Sequence, residues 1–262
     1  MPSPVSEKGM NSLPEQKKQS YDVAIIGGGI SGLMAAWRLV QMRPALRILL
    51  VEKGPDLTRR SCPMVTGKAK NCLHCTHCSI MEGLAGAGAF SDGKYVISTE
   101  YGGWLTDYLP REQVLDYIEQ ADAVLVGFGA TTDRFMPSDE LKKLCLQHDL
   151  HMHQAQLKHL GTDANFATMV RLVDSLRGRI EIRTETEAAD VDRDTHRLTL
   201  RGRKGEIDQV EAQRILFAVG GKPLFFRLVP QKRDSHEQQP GRYRGAGRAA
   251  RPHLAGLLLP DL

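Results

Sequence analysis

The feature that most constrains this chain is Gly27-Gly28-Gly29-Ile30-Ser31-Gly32, a G-x-G-x-x-G run set between two readable elements. Before it, Tyr21–Ile26 is a short apolar segment of the kind that forms a parallel strand buried on both faces. After it, Ile30, Leu33, Met34, Trp37 and Val40 recur at helical spacing, and Pro44 prevents the helix continuing beyond Met42. Arg47–Glu52 reads as the next strand, so Tyr21 to Glu52 forms one βαβ unit. Each glycine of such a turn answers a separate need. Gly27 permits the tight exit from the strand, Gly29 lets a pyrophosphate approach the backbone, and Gly32 lets helix and strand pack closely. Gly28, Ile30 and Ser31 complete the turn, where the helix start offers unpaired N–H groups and a positive dipole end to an anion. Glu52 lies twenty residues beyond Gly32, where an acid accepts from ribose hydroxyls and disfavours a 2′-phosphorylated ligand.

Beyond this unit the periodicity lapses. Gly54–Gly103 reads as functional loops holding four cysteines and the glycine-rich stretch Gly83–Gly93. Gly86 and Gly88 allow close backbone approach to a planar or phosphorylated ligand, and Ser91, Asp92 and Lys94 are its candidate anchors. Three helices follow, marked by Val114, Ile118, Ala121 and Leu125, then Leu141, Leu144 and Cys145, then Phe166, Met169, Val170, Val173 and Leu176. The period then changes to two. Arg179–Thr184, His196–Arg201 and Glu206–Ala212 read as strands of a meander, and Arg214–Val219 as a last buried strand closed by Gly220 and Gly221. Cys145, Trp37 and Trp104 read as packing residues. The histidines His148, His151, His153 and His159 follow no ligand spacing and read as a solvated group.

The cysteines Cys62, Cys72, Cys75 and Cys78 have the spacing C-x9-C-x2-C-x2-C. Four soft thiolates suit an iron–sulfur cluster or tetrahedral zinc, although the paired-knuckle spacing of zinc ribbons is missing. A redox-active dithiol and a set of thiols without special role stand beside the metal reading. Close-set thiols and a polar N-terminus without a hydrophobic segment point to the cytoplasm, and no apolar run is long enough to span a bilayer. The net charge of +4 comes largely from Pro230–Leu262, with six Lys/Arg against three acids, so the folded body lacks the basic surface of a nucleic-acid binder.

Tyr21–Leu33 followed by Val51-Glu52-Lys53-Gly54 resembles the FAD-binding start of the glutathione-reductase-like two-dinucleotide-binding flavoproteins. The strand Ile215–Gly221 resembles their second motif, with Ala218 and Gly220 matching and Val219 in place of Thr. Thr186–Ala188 matches the segment that lies against adenine, which makes Ala188 a carry-over. The run from Cys62-Pro63 through Cys78 to Gly86–Lys94, with His159–Asp163, is similar to a family of FAD-dependent dehydrogenases. The resemblance covers Tyr21–Leu228. It implies an α/β fold, a Rossmann-like FAD/NAD(P)-binding domain with a doubly wound parallel sheet, a β-meander and an inserted helical region. It implies FAD as cofactor, held by Gly27–Gly32, Glu52, Lys53, Gly86, Gly88, Ala188, Ala218 and Gly220. It further implies hydride or electron transfer with a small-molecule substrate and with NAD(P)H or another electron donor or acceptor.

The expected organisation is a disordered leader over 1–20 and an FAD-binding domain over 21–229, with cysteine-containing loops and a helical insertion at 54–178. A tail over 230–262 reads as disordered or out of frame. The family's Gly-Asp return over the cofactor has no counterpart there, so the chain reads as truncated. A non-catalytic nucleotide-binding fragment and an NAD-binding dehydrogenase are the competing readings.

Overall fold

The computed structural model describes residues 19–75, 77–100, 102–152 and 155–220. The expectations for the tail, His153 and Gly221 fall outside these residues, as does the leader up to residue 18; its last two residues, Gln19 and Ser20, already belong to the first strand.

Strand β1 (Gln19–Ile26) and strand β2 (Ile48–Val51) pair in parallel, joined by helix α1 (Ile30–Met42), as the βαβ pattern requires. Side chains alternate between two buried faces. Ile25, Ile48 and Leu50 enter one core with Leu33, Ala36 and Val40 of α1; Ala24, Ile26, Leu49 and Val51 enter the other. Each fully buried leucine or isoleucine here stabilises the fold by about 1.5–3 kcal/mol, so these strands form the rigid platform of the molecule.

Helices α2 (Arg111–Gly127), α3 (Asp139–Gln147) and α4 (Thr162–Leu176) occupy the three expected spans. Met169, Leu172, Val173 and Leu176 of α4 pack beside α1 in the first core. The short strand β5 (Glu181–Arg183) then joins β2 in parallel. Strands β6 (Thr186–Asp192), β7 (Arg197–Gly202) and β8 (Ile207–Phe217) form the antiparallel meander, and β8 returns parallel to β1. The resulting six-stranded sheet has the order β5-β2-β1-β8-β7-β6. Ala188, Leu198, Leu200, Val210 and Ala212 of the meander cover the second face of β1 and β2. The architecture is the α/β, Rossmann-like one expected.

Several details differ from the sequence reading. Arg179–Thr184, expected in the meander, instead gives β5 at the edge beside β2. Thr186–Asp192 is the first strand of the meander, since its pairing with β7 and not an alternating apolar pattern makes it one. Glu206–Ala212 and Arg214–Val219 are one continuous strand, since Gln213 does not interrupt the extended chain. Within the stretch read as loops, strand β3 (Lys94–Ile97) pairs antiparallel with β4 (Gln156–His159). Four residues are too few to show alternation, and the partner lies some sixty positions away. The packing residues also divide: Trp37 meets Phe128 edge-on at 6.3 Å, whereas Trp104 is 79% exposed. Cys145 is only part-buried.

Candidate functional site

A cleft of about 650 Å³ opens where β1, β2 and β8 end and α1 begins. That volume falls within the roughly 300–1,000 Å³ of small-molecule and cofactor sites. Its walls draw on Gly27, Gly29, Ile30 and Ser31 of the glycine turn, Glu52 and Lys53 after β2, and Gly86 and Gly88 of the second glycine stretch. Ala188 of β6 and Ala218 and Gly220 after β8 also line it. Apart from Gly28 and Gly32, every residue expected to hold a dinucleotide lies on this one surface.

The glycine turn is built by close packing. Gly27 has φ +108°, and a Cβ there would lie 2.4 Å from the Ala218 carbonyl oxygen. A Cβ on Gly32 would overlap the Gly27 carbonyl oxygen at 2.0 Å, so helix and turn touch backbone to backbone. Gly29 is different: a Cβ there meets nothing within 4 Å and faces open cleft. The first intrahelical bond of α1 runs from Leu33 N–H to Gly29 C=O, which leaves the N–H groups of Ile30, Ser31 and Gly32 ahead of the ladder. No acid occupies the first turn and no side chain caps it. A cradle with room at Gly29, forward N–H groups and an uncompensated dipole end fits a pyrophosphate.

Glu52 has a role that spacing did not reveal. Its buried carboxylate accepts from the backbone N–H of Gly28 at 2.8 Å, Gly54 at 2.8 Å and Gly83 at 3.1 Å. All three donors are glycines at which a Cβ would come within 3.0 Å of a neighbour. Of the roughly four acceptor positions of a carboxylate, three are therefore occupied by the protein itself. The signal was present as Gly54, two residues on, and Gly83, but nothing local links Gly83 to Glu52.

The second glycine stretch leans on the first. Ala85 N–H donates to Gly28 C=O at 2.7 Å, and a Cβ on Gly86 would stand 3.1 Å from the Gly29 Cα. Asn165 of α4 donates its side-chain amide to the carbonyls of Gly88 at 2.8 Å and Ser91 at 3.2 Å. The expected anchors are used locally: the Ser91 hydroxyl donates to Gly88 C=O, and Lys94 pairs with Asp92 at 2.8 Å. That hydrogen bond from Lys94 holds the exposed Asp92 carboxyl below its usual range.

Farther along the cleft stands Tyr95 of β3. Its hydroxyl donates to Asp122 at 2.8 Å. Burial pushes the phenol up and the Asp122 carboxylate adds to it, so Tyr95 stays protonated. Asp122 was hidden in the sequence, because the apolar pattern of α2 placed Ala121 inward. In the fold Ala121 is exposed and Asp122 is buried, paired with Lys158 and Arg134.

The cysteine segment ends at the cleft. The Cys78 carbonyl accepts from Met81 and Glu82 N–H, and both of those residues line the wall. Glu82 pairs with Lys53 at 3.0 Å and approaches His77 at 3.5 Å. Cys62 and Cys78 are part-buried, Cys72 and Cys75 exposed, and all are free thiols. Among the described residues no three His, Cys, Asp or Glu side chains converge as a metal-holding group. Among these residues, too, no helix is long and apolar enough to cross a membrane.

A sheet of this order, with a glycine turn on its first strand and an acid after its second, defines a Rossmann-type FAD/NAD(P)-binding oxidoreductase domain. Residues 21–244 match the pyridine nucleotide-disulphide oxidoreductase family, and the chain belongs to that family. Over 71 residues it is 34% identical to the mitochondrial L-2-hydroxyglutarate dehydrogenase of Nematostella vectensis, covering 27% of this chain and 15% of that protein. A 3-ketosteroid-delta4-(5alpha)-dehydrogenase from Rhodococcus jostii is similar in structure at 14% identity and TM-score 0.46, over 78% of this chain and 46% of that one. The E. coli quinol fumarate reductase FrdA, as a point mutant, is similar at 18% identity and TM-score 0.45, over 79% and 33%. The chain spans less than half the length of each of these relatives.

Proposed function

We propose that the cleft binds FAD and that the chain serves an oxidoreductase acting on a small-molecule substrate. The observation that carries this reading is Gly29, open to the cleft beside the forward N–H groups of α1. In this reading Gly27–Gly32 and Gly86–Gly88 hold the pyrophosphate, and Thr186–Ala188 lies against the adenine. The acceptor position left on Glu52 takes a ribose hydroxyl. Lys53 lies beside Glu52 on the same wall. Ala218, packed against Gly27, and Gly220 are small and keep their part of the cleft wall clear.

FAD, when bound, supplies the hydride and electron transfer; the protein binds, orients and shields it. Tyr95, Leu160 and Met169 offer the flavin half a largely apolar wall. Tyr95 keeps its proton on the phenol oxygen, committed to Asp122, so it serves as a fixed wall and not as a base. The electron partner is a second small molecule, with NAD(P)H the form implied by the resemblance. A reducing compartment, the cytoplasm, completes the reading, resting on the close-set cysteines of the sequence. A cluster of iron and sulfur, or zinc, on Cys62, Cys72, Cys75 and Cys78 rests on their spacing alone.

The visible absorbance spectrum of the purified full chain tests the proposal. The bands of oxidised flavin, present on purification or after incubation with FAD, support it. A protein that stays colourless after incubation and instead binds NAD moves the cleft to the nicotinamide reading. One that binds neither leaves the nucleotide-binding fragment without a nucleotide and ends the proposal.

A further inference from the structure

Arg60 is a charged residue in a segment that reads as loop, yet it is 6% exposed. Its guanidinium gives every hydrogen bond found for it to a backbone carbonyl. Nε donates to Ser79 at 2.8 Å, one terminal nitrogen to Ile80 at 2.7 Å, and the other to Leu84 at 2.9 Å and Gly86 at 2.7 Å. The guanidinium also lies over the Phe90 ring, 4.5 Å from its centre. A planar fork with fixed donors holds four carbonyls in one arrangement, which a flexible ammonium cannot do.

The segment it holds is the one that leans on the glycine turn. Glu52 takes the Gly83 N–H while Arg60 takes the Leu84 and Gly86 carbonyls. Between them, Ala85 N–H reaches Gly28 C=O, and Gly86 stands against Gly29. Gly83 itself fits against the Arg60 side chain, since a Cβ there would lie 2.8 Å from the arginine Cδ.

We propose that Arg60 is a positioning residue that sets Leu84–Gly86 against the Gly28–Gly29 turn and thereby shapes the dinucleotide cradle. This inference rests on the reading of the cleft as an FAD site. Arg60 is not itself among the residues lining the cleft; it acts through the backbone it grips.

The test uses the full chain with Arg60→Lys, which keeps the charge but loses the fork, and Arg60→Met. Two quantities are read: FAD affinity by flavin fluorescence titration, and amide hydrogen exchange in flavin-free protein. Losing one or two charge-assisted hydrogen bonds should weaken FAD binding roughly tenfold or more in both variants. Exchange across residues 83–88 should quicken to a similar degree while β1 and β2 keep their protection. Unchanged affinity and unchanged loop exchange in Arg60→Lys overturn the proposal. So does faster loop exchange with unchanged affinity, which cuts the link to the cofactor. Loss of protection throughout β1 and β2 in both variants also overturns it, because Arg60 is then a residue of the general fold. If the unsubstituted chain takes up no FAD, the reading of the cleft fails, and the exchange comparison alone decides the positioning of the loop.

Discussion

Lys158 is 1% exposed and places its ammonium 2.8 Å from the carboxylate of Asp122, a residue of another element that is itself 4% exposed. Lys158 also donates to the Thr131 carbonyl at 2.9 Å, and Asp122 accepts from Tyr95 on the cleft wall. A buried pair of this kind is costly to break from one side, because the remaining charge stays buried without its partner. Asp122→Ala should therefore lower stability by about 3 kcal/mol or more, read as a fall in the urea midpoint. Replacing both residues by apolar ones of similar size, Asp122→Leu with Lys158→Met, should cost less than Asp122→Ala alone. Equal or greater loss in the double variant would show that the pair is not acting as a unit.

The same carboxylate gives a pH dependence. Burial pushes Asp122 upward, but hydrogen bonds from Lys158 and Tyr95 and the charges of Lys158 and Arg134 outweigh it and hold the group below 3.8. A folded value below the unfolded one means the contribution is complete above pH 3.8 and is lost as pH falls through the lowered value. Acid unfolding of Asp122→Asn should accordingly be less steep than that of the unsubstituted chain below that pH. Identical profiles would remove Asp122 from the acid response.

Gly29 and Gly32 separate ligand binding from folding. A side chain at Gly29 enters open cleft, so Gly29→Val should cost no more than about 1 kcal/mol of stability while weakening FAD binding by about a hundredfold. Gly32→Val drives a Cβ into the Gly27 carbonyl and should cost about 3 kcal/mol or more. Melting midpoints with and without FAD distinguish the two. A yellow, normally loaded Gly29→Val protein would remove the glycine turn from the cofactor site.

Glu52→Gln keeps the shape of the side chain but turns one acceptor oxygen into an amino group facing backbone N–H donors. Loss of one or two of its three buried hydrogen bonds predicts a destabilisation of about 1–3 kcal/mol even in flavin-free protein. If the acid served ribose alone, Glu52→Gln would change FAD affinity and leave the flavin-free midpoint in place.

A metal on Cys62, Cys72, Cys75 and Cys78 would give iron or zinc in anaerobically purified protein and its loss in Cys72→Ser combined with Cys75→Ser, whereas a redox dithiol or thiols without special role would give none. Elemental analysis decides the point. Protein without metal above background, and flavin binding undisturbed in the double variant, would retire the metal reading.

What could be read from the sequence was local and periodic. The strand, turn and helix around Gly27–Gly32 declare themselves within thirty residues, and the meander shows its alternation in Leu198 and Leu200. What stayed hidden depended on distant partners. Lys94–Ile97 becomes a strand because Gln156–His159 pairs with it. Asp122 is buried because Lys158, Arg134 and Tyr95 surround it, and an apolar pattern cannot foresee a charge made welcome by two cations and a hydroxyl. The role of Arg60, within a stretch read only as loops, stayed hidden for the same reason: its four acceptors are main-chain atoms, which carry no letter in the sequence.

The shared grip of Glu52 and Arg60 on one backbone run has a consequence for chain length. Their contacts assign donors and acceptors to particular positions between Ser79 and Gly86, so this interval has to be traversed in a set number of steps. One inserted residue would present a carbonyl where the acid needs an N–H, or an N–H where the arginine needs a carbonyl. The largely exposed Met64–Lys70 stretch bonds back to its near neighbours Cys62, Pro63 and Met64, and a local turn of that kind can re-form around an inserted residue. Insertions and deletions should thus be tolerated just before the cysteine triplet and refused just after it, a sharp border within what looks like one long loop.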